Sequence, residues 1–289
     1  MHTRPATFED LPAITELNRA WDAAWLGSPE NSEDEVREDL VRARPLAEQS
    51  HLVYDGDTLL GAGWWWRTDS TLLVHPDTAA VSVRGELLDW FAAGSAPHVL
   101  ALGTDAELRA ALDERGWRPS HSAFSLIRAV TPDWVLDRPV WDDGIDVRPL
   151  RPEDIEAIHR LVYEDAGWAD VPGHVARGLE EWRSLFATET APVDQQVLAW
   201  QDDRLIGVAI GRIFSDGTGW VSQLAVSAAA RRRGLGRALL LEAFARRRAA
   251  GARALGLDVQ AANDAALELY LGVGLRIERE WLTFHRPAR

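Results

Sequence analysis

Val221-Ser-Gln-Leu-Ala-Val-Ser-Ala-Ala-Ala-Arg-Arg-Arg-Gly-Leu-Gly-Arg-Ala-Leu-Leu240 is the stretch that decides how this chain folds. The apolar run from Trp220 to Val226 reads as a strand. Small residues then turn the chain into Arg231-Arg232-Arg233-Gly234-Leu235-Gly236, and an amphipathic helix follows over roughly Arg237 to Ala250. Two glycines let the backbone turn tightly, so that successive N–H groups converge. The helix N-terminus adds partial positive charge. Arg231, Arg232, Arg233 and Arg237 add cations in a chain of net charge −14. Strand, turn and helix together predict a socket for a diphosphate. The stretch is not a P-loop, because the chain holds no lysine, and Gly-Leu-Gly lacks the third glycine of a dinucleotide fingerprint.

Arg231-x-x-Gly234-Leu235-Gly236, following a strand and opening a helix, resembles the acyl-CoA pyrophosphate loop of the GCN5-related N-acetyltransferases (GNAT). A second segment supports the resemblance. A strand over Leu255 to Gln260 precedes Asn263-Asp-Ala-Ala-Leu-Glu-Leu-Tyr270 and then Gly274-Leu275, similar to the family's Asn…Leu-Tyr…Gly segment. The resemblance implies acetyl-CoA as co-substrate. Arg231, Arg232, Arg233, Gly234, Leu235, Gly236, Arg237 and Ala238 would hold its diphosphate. Leu224, Ala225 and Val226 would pair strand-fashion with the pantetheine, and Asn263 would touch the same arm. Tyr270 would stand beside the thioester sulfur as the catalytic donor. A departing thiolate is stabilised by a neutral O–H, and a tyrosine of pKa about 10 keeps its proton at pH 7.

Each of these residues also has an ordinary reading. Asn263 is a good helix N-cap, Tyr270 can be a half-buried packing ring, and the arginine cluster can be a solvated turn. Arg246, Arg247 and Arg248 suit the last turn of a helix before Gly251. Many relatives carry a glutamate base on the strand before the loop. Ser222 and Gln223 stand there in this chain, so the base is not identified. Glu164, Asp165, Asp170, Glu180 and Glu181 would either receive a cationic acceptor or form a solvated helix face.

The chain repeats itself. Arg4-Pro5 to Asp10 matches Arg148-Pro149 to Asp154, and Asp57-Thr-Leu-Leu-Gly61 matches Asp203-Arg-Leu-Ile-Gly207. Leu87-Leu88 matches Leu239-Leu240, and Gly116-Trp-Arg118 matches Gly274-Leu-Arg276. Offsets growing from 144 to 158 mean two copies of one unit with small insertions in the second. At the local offset of 152, Arg231, Gly234 and Gly236 become Ala79, Ser82 and Arg84; at 158, Asn263 and Tyr270 become Asp105 and Leu112. The first copy therefore reads as degenerate. In Trp64-Trp65-Trp66 the first and third share one strand face, which suits core packing better than a substrate wall.

Composition narrows the field. No cysteine means no disulfide and no cysteine nucleophile, and eight scattered histidines lack metal-ligand spacing, so no metal is expected. The acidic balance argues against nucleic acid. Without an apolar run of 18 residues, the expectation is a soluble, cytoplasmic protein with no membrane partner; the use of arginine alone among long cations suggests a high-GC bacterial source.

The sequence thus predicts an α/β (α+β mixed sheet) fold made of two tandem GNAT domains: a degenerate copy over 1–130, a linker over 131–144 and a catalytic copy over 145–289, packed as an intramolecular pseudo-dimer. It predicts an N-acetyltransferase that modifies a small-molecule amine. The alternatives are transfer from a carrier-protein phosphopantetheine, a mycothiol-synthase-like activity, and non-catalytic acyl-CoA binding.

Overall fold

The computed structural model describes residues 1–67, 69–77, 80–94, 98–167, 176–185 and 192–286. Ala79 and Asp170 lie outside the described residues, as does the side chain of Glu181. The elements in chain order are β1 (His2–Arg4), α1 (Leu11–Trp25), α2 (Glu33–Arg42), α3 (Leu46–Gln49), β2 (Ser50–Asp55), β3 (Thr58–Trp66), β4 (Asp69–Val74), α4 (Ala80–Ala93), β5 (His98–Leu102), α5 (Ala106–Glu114) and β6 (Arg118–Ala129). The same order then returns as β7 (Asp146–Arg148), α6 (Ile155–Arg160), α7 (Leu179–Leu185), β8 (Val197–Gln201), β9 (Arg204–Ile213), β10 (Thr218–Val226), α8 (Leu235–Ala249), β11 (Ala254–Gln260), α9 (Asp264–Val273) and β12 (Arg276–His285). A π-helical turn over Leu161–Asp165 extends α6.

The chain forms two compact units, one of Met1–Ala123 with Arg279–Arg289 and one of Phe124–Glu278. The division falls within β6 and β12 rather than at residues 130 and 144, so the segment 131–144 goes with the second unit. In the first unit β1, β2, β3 and β4 form an antiparallel sheet in that order. In the second the order runs β6, β11, β10, β9, β8, β7, with β10 and β11 parallel and β7 to β10 antiparallel. The second unit's sheet is the mixed sheet expected from the sequence, whereas the described strands β1 to β4 of the first unit are antiparallel throughout.

Alternation along each strand sends apolar side chains to both faces, and helices cover both. In the second unit Val197, Ala199 and Ala209 pack with Leu239, Ala243 and Phe244 of α8. Leu198, Val208 and Ile210 face the other way, toward Ile155, Ile158 and Trp182. The first unit divides its tryptophans likewise: Trp64 is buried with α1 and α2, and Trp65 packs on the α4–α5 cluster.

The most exact repeat has a structural cause. Arg148 donates to both carboxylate oxygens of Asp154 at 2.7 and 2.8 Å, and Asp154 also accepts from the Arg151 backbone N–H at 2.8 Å. Arg4 grips Asp10 in the same two-pronged way, with the Thr7 N–H at 2.8 Å and the Tyr54 hydroxyl donating at 2.9 Å. The bond from Arg4 holds the Asp10 carboxyl well below the usual carboxylate range. At Asp154 burial pushes the carboxyl up, but the bonds from Arg148 and the Arg151 N–H outweigh it and leave it lowered. One device thus fixes the entry to the first helix of each copy.

Candidate active site

The site is built where β10 and β11 part. Their parallel pairing covers Thr218, Gly219 and Trp220 against Ala254, Leu255 and Gly256, and it goes no further. Beyond Trp220 the strand pairs only with β9, Leu224, Ala225 and Val226 lying opposite Ala209, Val208 and Gly207. A bulge between Val221 and Gln223 coincides with the parting and reverses the alternation. Val221 packs on the α8 side and Ala225 on the α6 side, although four residues separate them. Leu224 and Val226 consequently turn toward α8, and the β11-facing backbone edge of residues 224–226 is left without a strand partner.

The chain then turns into α8. Gly234 caps the helix at φ +77°, and Arg232 also takes a left-handed conformation, at φ +60°. No backbone N–H from Arg232 to Arg237 donates to a described carbonyl, so these donors collect at the start of the helix. Helix α8 begins at Leu235, two residues before the predicted start, which places Gly236 in the first helical turn. A Cβ at Gly236 would meet only Leu269 at 3.5 Å and Val226 at 3.8 Å, ordinary contact distances. Packing therefore does not demand a glycine there, although glycine in a helix costs roughly 0.5–1 kcal/mol against alanine. The same contacts bring the start of α8, the end of β10 and α9 together.

The four arginines divide. Arg231 ties the turn to the fold, donating to the carbonyls of Ala166 at 2.6 Å and Val226 at 3.3 Å. Arg233 pairs with Asp142 at 2.8 Å, and Arg237 pairs with Asp137 at 2.6 Å while donating to the Gly272 carbonyl. Arg232 is exposed. Asp137 and Asp142 escaped the motif reading because they lie in the Pro- and Trp-interrupted segment; acidic residues in that segment were the available signal.

Helix α9 carries the other half of the site. Asn263 is its N-cap, accepting from the Ala266 N–H at 3.2 Å. Tyr270 is 8% exposed, and burial pushes its hydroxyl up to about 12. It lies in the cluster on which Leu224, Val226 and Leu269 also pack. Gln223 stands on the bulged stretch with a buried Nε2 that finds no hydrogen-bond partner among the described residues. Of the variable acidic residues, Asp165 bonds Arg204 at 3.2 Å and Glu180 pairs with its neighbour Arg183, while Glu164 is exposed.

Arg247 departs from its reading as a last-turn surface cation. It is fully buried, donates to the carbonyls of Gln195 and Ala243, and is brought down to about 10 by burial. Arg246 and Arg248 stand in the last turn of α8 but donate outside it, to the carbonyls of Gln196 and Trp134.

Among its described residues the first unit lacks this geometry. Helix α4 begins at Ala80, which corresponds at the offset of 152 to Arg232, so helix runs through the positions of the turn. Asp105 caps α5 by accepting from the Leu108 N–H at 2.9 Å, as Asn263 does for α9, and Leu112 is fully buried in place of the tyrosine.

Comparison with known proteins agrees with this architecture. Residues 155–274 match the acetyltransferase (GNAT) family model, and no curated protein matches the sequence. The whole chain aligns with 96% of a GCN5-related N-acetyltransferase from Sphaerobacter thermophilus at a TM-score of 0.80 and 23% identity. It also aligns over its whole length with 99% of a tandem GNAT protein from the clavulanic acid biosynthesis pathway, at a TM-score of 0.72 and 14% identity. Residues 155–274 thus carry the match to the GNAT acetyltransferase family, and over its whole length the chain shares the fold of a tandem GNAT protein. Among the described residues no helix is long and apolar enough to cross a membrane.

Proposed function

We propose that the chain is an acetyl-CoA-dependent N-acetyltransferase acting on a small-molecule amine, with its working site in the second unit. The observation that carries this reading is the unpartnered edge of residues 224–226, which opens beside the left-handed turn at Gly234. The residues present fit acyl-CoA. An extended amide arm can pair with a free strand edge, and a diphosphate suits the collected N–H groups. The missing Cβ at Gly236, which packing does not require, leaves room for close approach.

Bound acetyl-CoA would supply a thioester open to attack by a neutral amine. The backbone N–H groups of the open β10 edge are placed to donate to a carbonyl oxygen and to the charge that grows on it. Tyr270 holds its proton firmly. A phenol near 12 facing a thiolate of about 8.5 gives up its proton completely only at a cost of about 5 kcal/mol. It therefore acts as a hydrogen-bond donor to sulfur, while the acceptor's own nitrogen loses the proton that balances the reaction. Gln223 offers an amide donor on the same strand but no base. Proton removal is left to solvent or to the acceptor's own ionisation.

Calorimetry with CoA, joined to a free-thiol release assay over a panel of primary amines, tests the proposal. Micromolar CoA binding with amine-dependent thiol release is expected. Binding without release on any amine would favour a non-catalytic acyl-CoA protein. Release only from a phosphopantetheinylated carrier would favour the carrier-linked donor.

A further inference from the structure

The first unit contains a cleft of about 400 Å³ between the end of β4 and the start of α5. By the repeat offsets of 152 and 158 its walls are the counterparts of the end of β10 and the start of α9, but its lining is different. Trp21 and Trp25 stand on successive turns of α1 and form an aromatic wall, their ring centroids 6.5 Å apart and their planes tilted by 32°. Trp25 is 37% exposed, a large indole left beside an open cleft.

Arg84 of α4 also lines the cleft, with only 9% of its side chain exposed. Its Nη2 donates to Glu107 at 3.0 Å, whereas Nε and Nη1 donate to no described residue. The neighbouring groups do not supply the missing acceptor. Asp105 caps α5 through Oδ1 and makes no bond to Arg84, Glu107 extends into solvent at 72% exposure, and the His75 ring accepts from the Asp77 N–H at 3.2 Å. The side chain is nearly buried, but its two remaining nitrogens stay open to the cleft, where an acceptor can reach them and a charged one binds best. The indole pair calls for a flat apolar partner.

We propose that the cleft of the first unit binds a planar aromatic acid, with its ring against Trp21 and Trp25 and its carboxylate accepting from Arg84. Acyl-CoA does not meet this description, because α4 runs through the positions where a diphosphate turn would be needed.

The test titrates the full chain by calorimetry with indole-3-carboxylate and with neutral indole-3-methanol, each with and without saturating CoA. The acid is expected to bind once per chain, at least tenfold tighter than the alcohol, and equally well in the presence of CoA. Arg84→Gln and, separately, Trp25→Ala should each weaken it tenfold or more. Trp25 is partly exposed, so its replacement keeps the fold and decides the matter if Arg84→Gln melts early. Absence of measurable binding, equal affinity for the alcohol, or indifference to both variants would overturn the proposal. Displacement of the acid by CoA would do so as well, by placing the probe in the second unit. CoA titrated alone reports on the acyltransferase reading separately.

Discussion

Asp137 lies 2.6 Å from Arg237, so a carboxylate of the segment before β7 already holds one of the cations at the start of α8. Both side chains are well exposed, and such pairs contribute up to about 1 kcal/mol. Asp137→Asn should therefore tighten CoA binding by no more than about fivefold, with the gain fading at high salt as screening grows. Calorimetry at 20 mM and 300 mM salt checks this. An unchanged affinity at low salt would remove Arg237 from the set of diphosphate ligands.

Gly236 separates binding from stability. A methyl group fits at its position, and alanine suits a helix better by roughly 0.5–1 kcal/mol. Gly236→Ala should raise the melting temperature by about 1–4 °C for a unit of this size while weakening CoA. Gly236→Asp should abolish CoA binding with the fold retained. Near-wild-type CoA affinity in the aspartate variant would end the diphosphate assignment.

Tyr270→Phe keeps the ring and removes only the hydroxyl. Turnover should fall about 10²–10³-fold, the scale of a lost hydrogen-bond donor to developing charge, with acetyl-CoA affinity within a few-fold of wild type. Because the hydroxyl is raised to about 12, it stays protonated throughout the physiological range, and no loss of rate from its ionisation should appear below pH 10. Equal turnover in the two proteins would leave Tyr270 as a packing residue.

What the sequence disclosed and what it hid follow one physical division. Local patterns were legible. The Arg-Pro…Glu-Asp repeats mark a real two-pronged ion pair in each unit, and Gly234 marks a left-handed cap. Asn263 and Asp105, matched by offset alone, prove to cap equivalent helices. Properties that depend on distant packing were not legible. Nothing local distinguishes Arg247 from Arg246 and Arg248, since its burial is decided by β9, β10 and the turn at Gln195 closing over it. The pairing of Asp137 and Asp142 with the turn joins residues about a hundred positions apart.

Acid should loosen both units through one device. Asp10 and Asp154 sit below their unfolded values, so their stabilisation is present above about pH 4 and is lost as pH falls through the lowered native values. Asp154→Asn should cost about 2 kcal/mol at pH 7, the order expected when a nearly buried charge-assisted bond is lost. The deficit against wild type should shrink toward pH 3. Urea midpoints across that range measure it, and a deficit independent of pH would mean that the cost is one of shape rather than charge.

The last prediction concerns whether the second copy can work alone. Its core does not begin at residue 145: Leu126 and Trp134 are 0% and 4% exposed within the cluster that includes α8 and Tyr270. Arg128 also donates to the carbonyl of Gly274, the left-handed cap that ends α9, at 2.9 Å. A fragment of residues 145–289 lacks all three residues, and losing a buried leucine and tryptophan costs several kcal/mol, a large share of a domain's stability. It should be poorly soluble or inactive, and a fragment beginning at residue 118 should recover part of the fold. The full chain should bind one CoA, because α4 runs through the positions of the turn. A stoichiometry near two would show that the first copy binds CoA after all, and a soluble, fully active fragment 145–289 would show that the residues before it are dispensable.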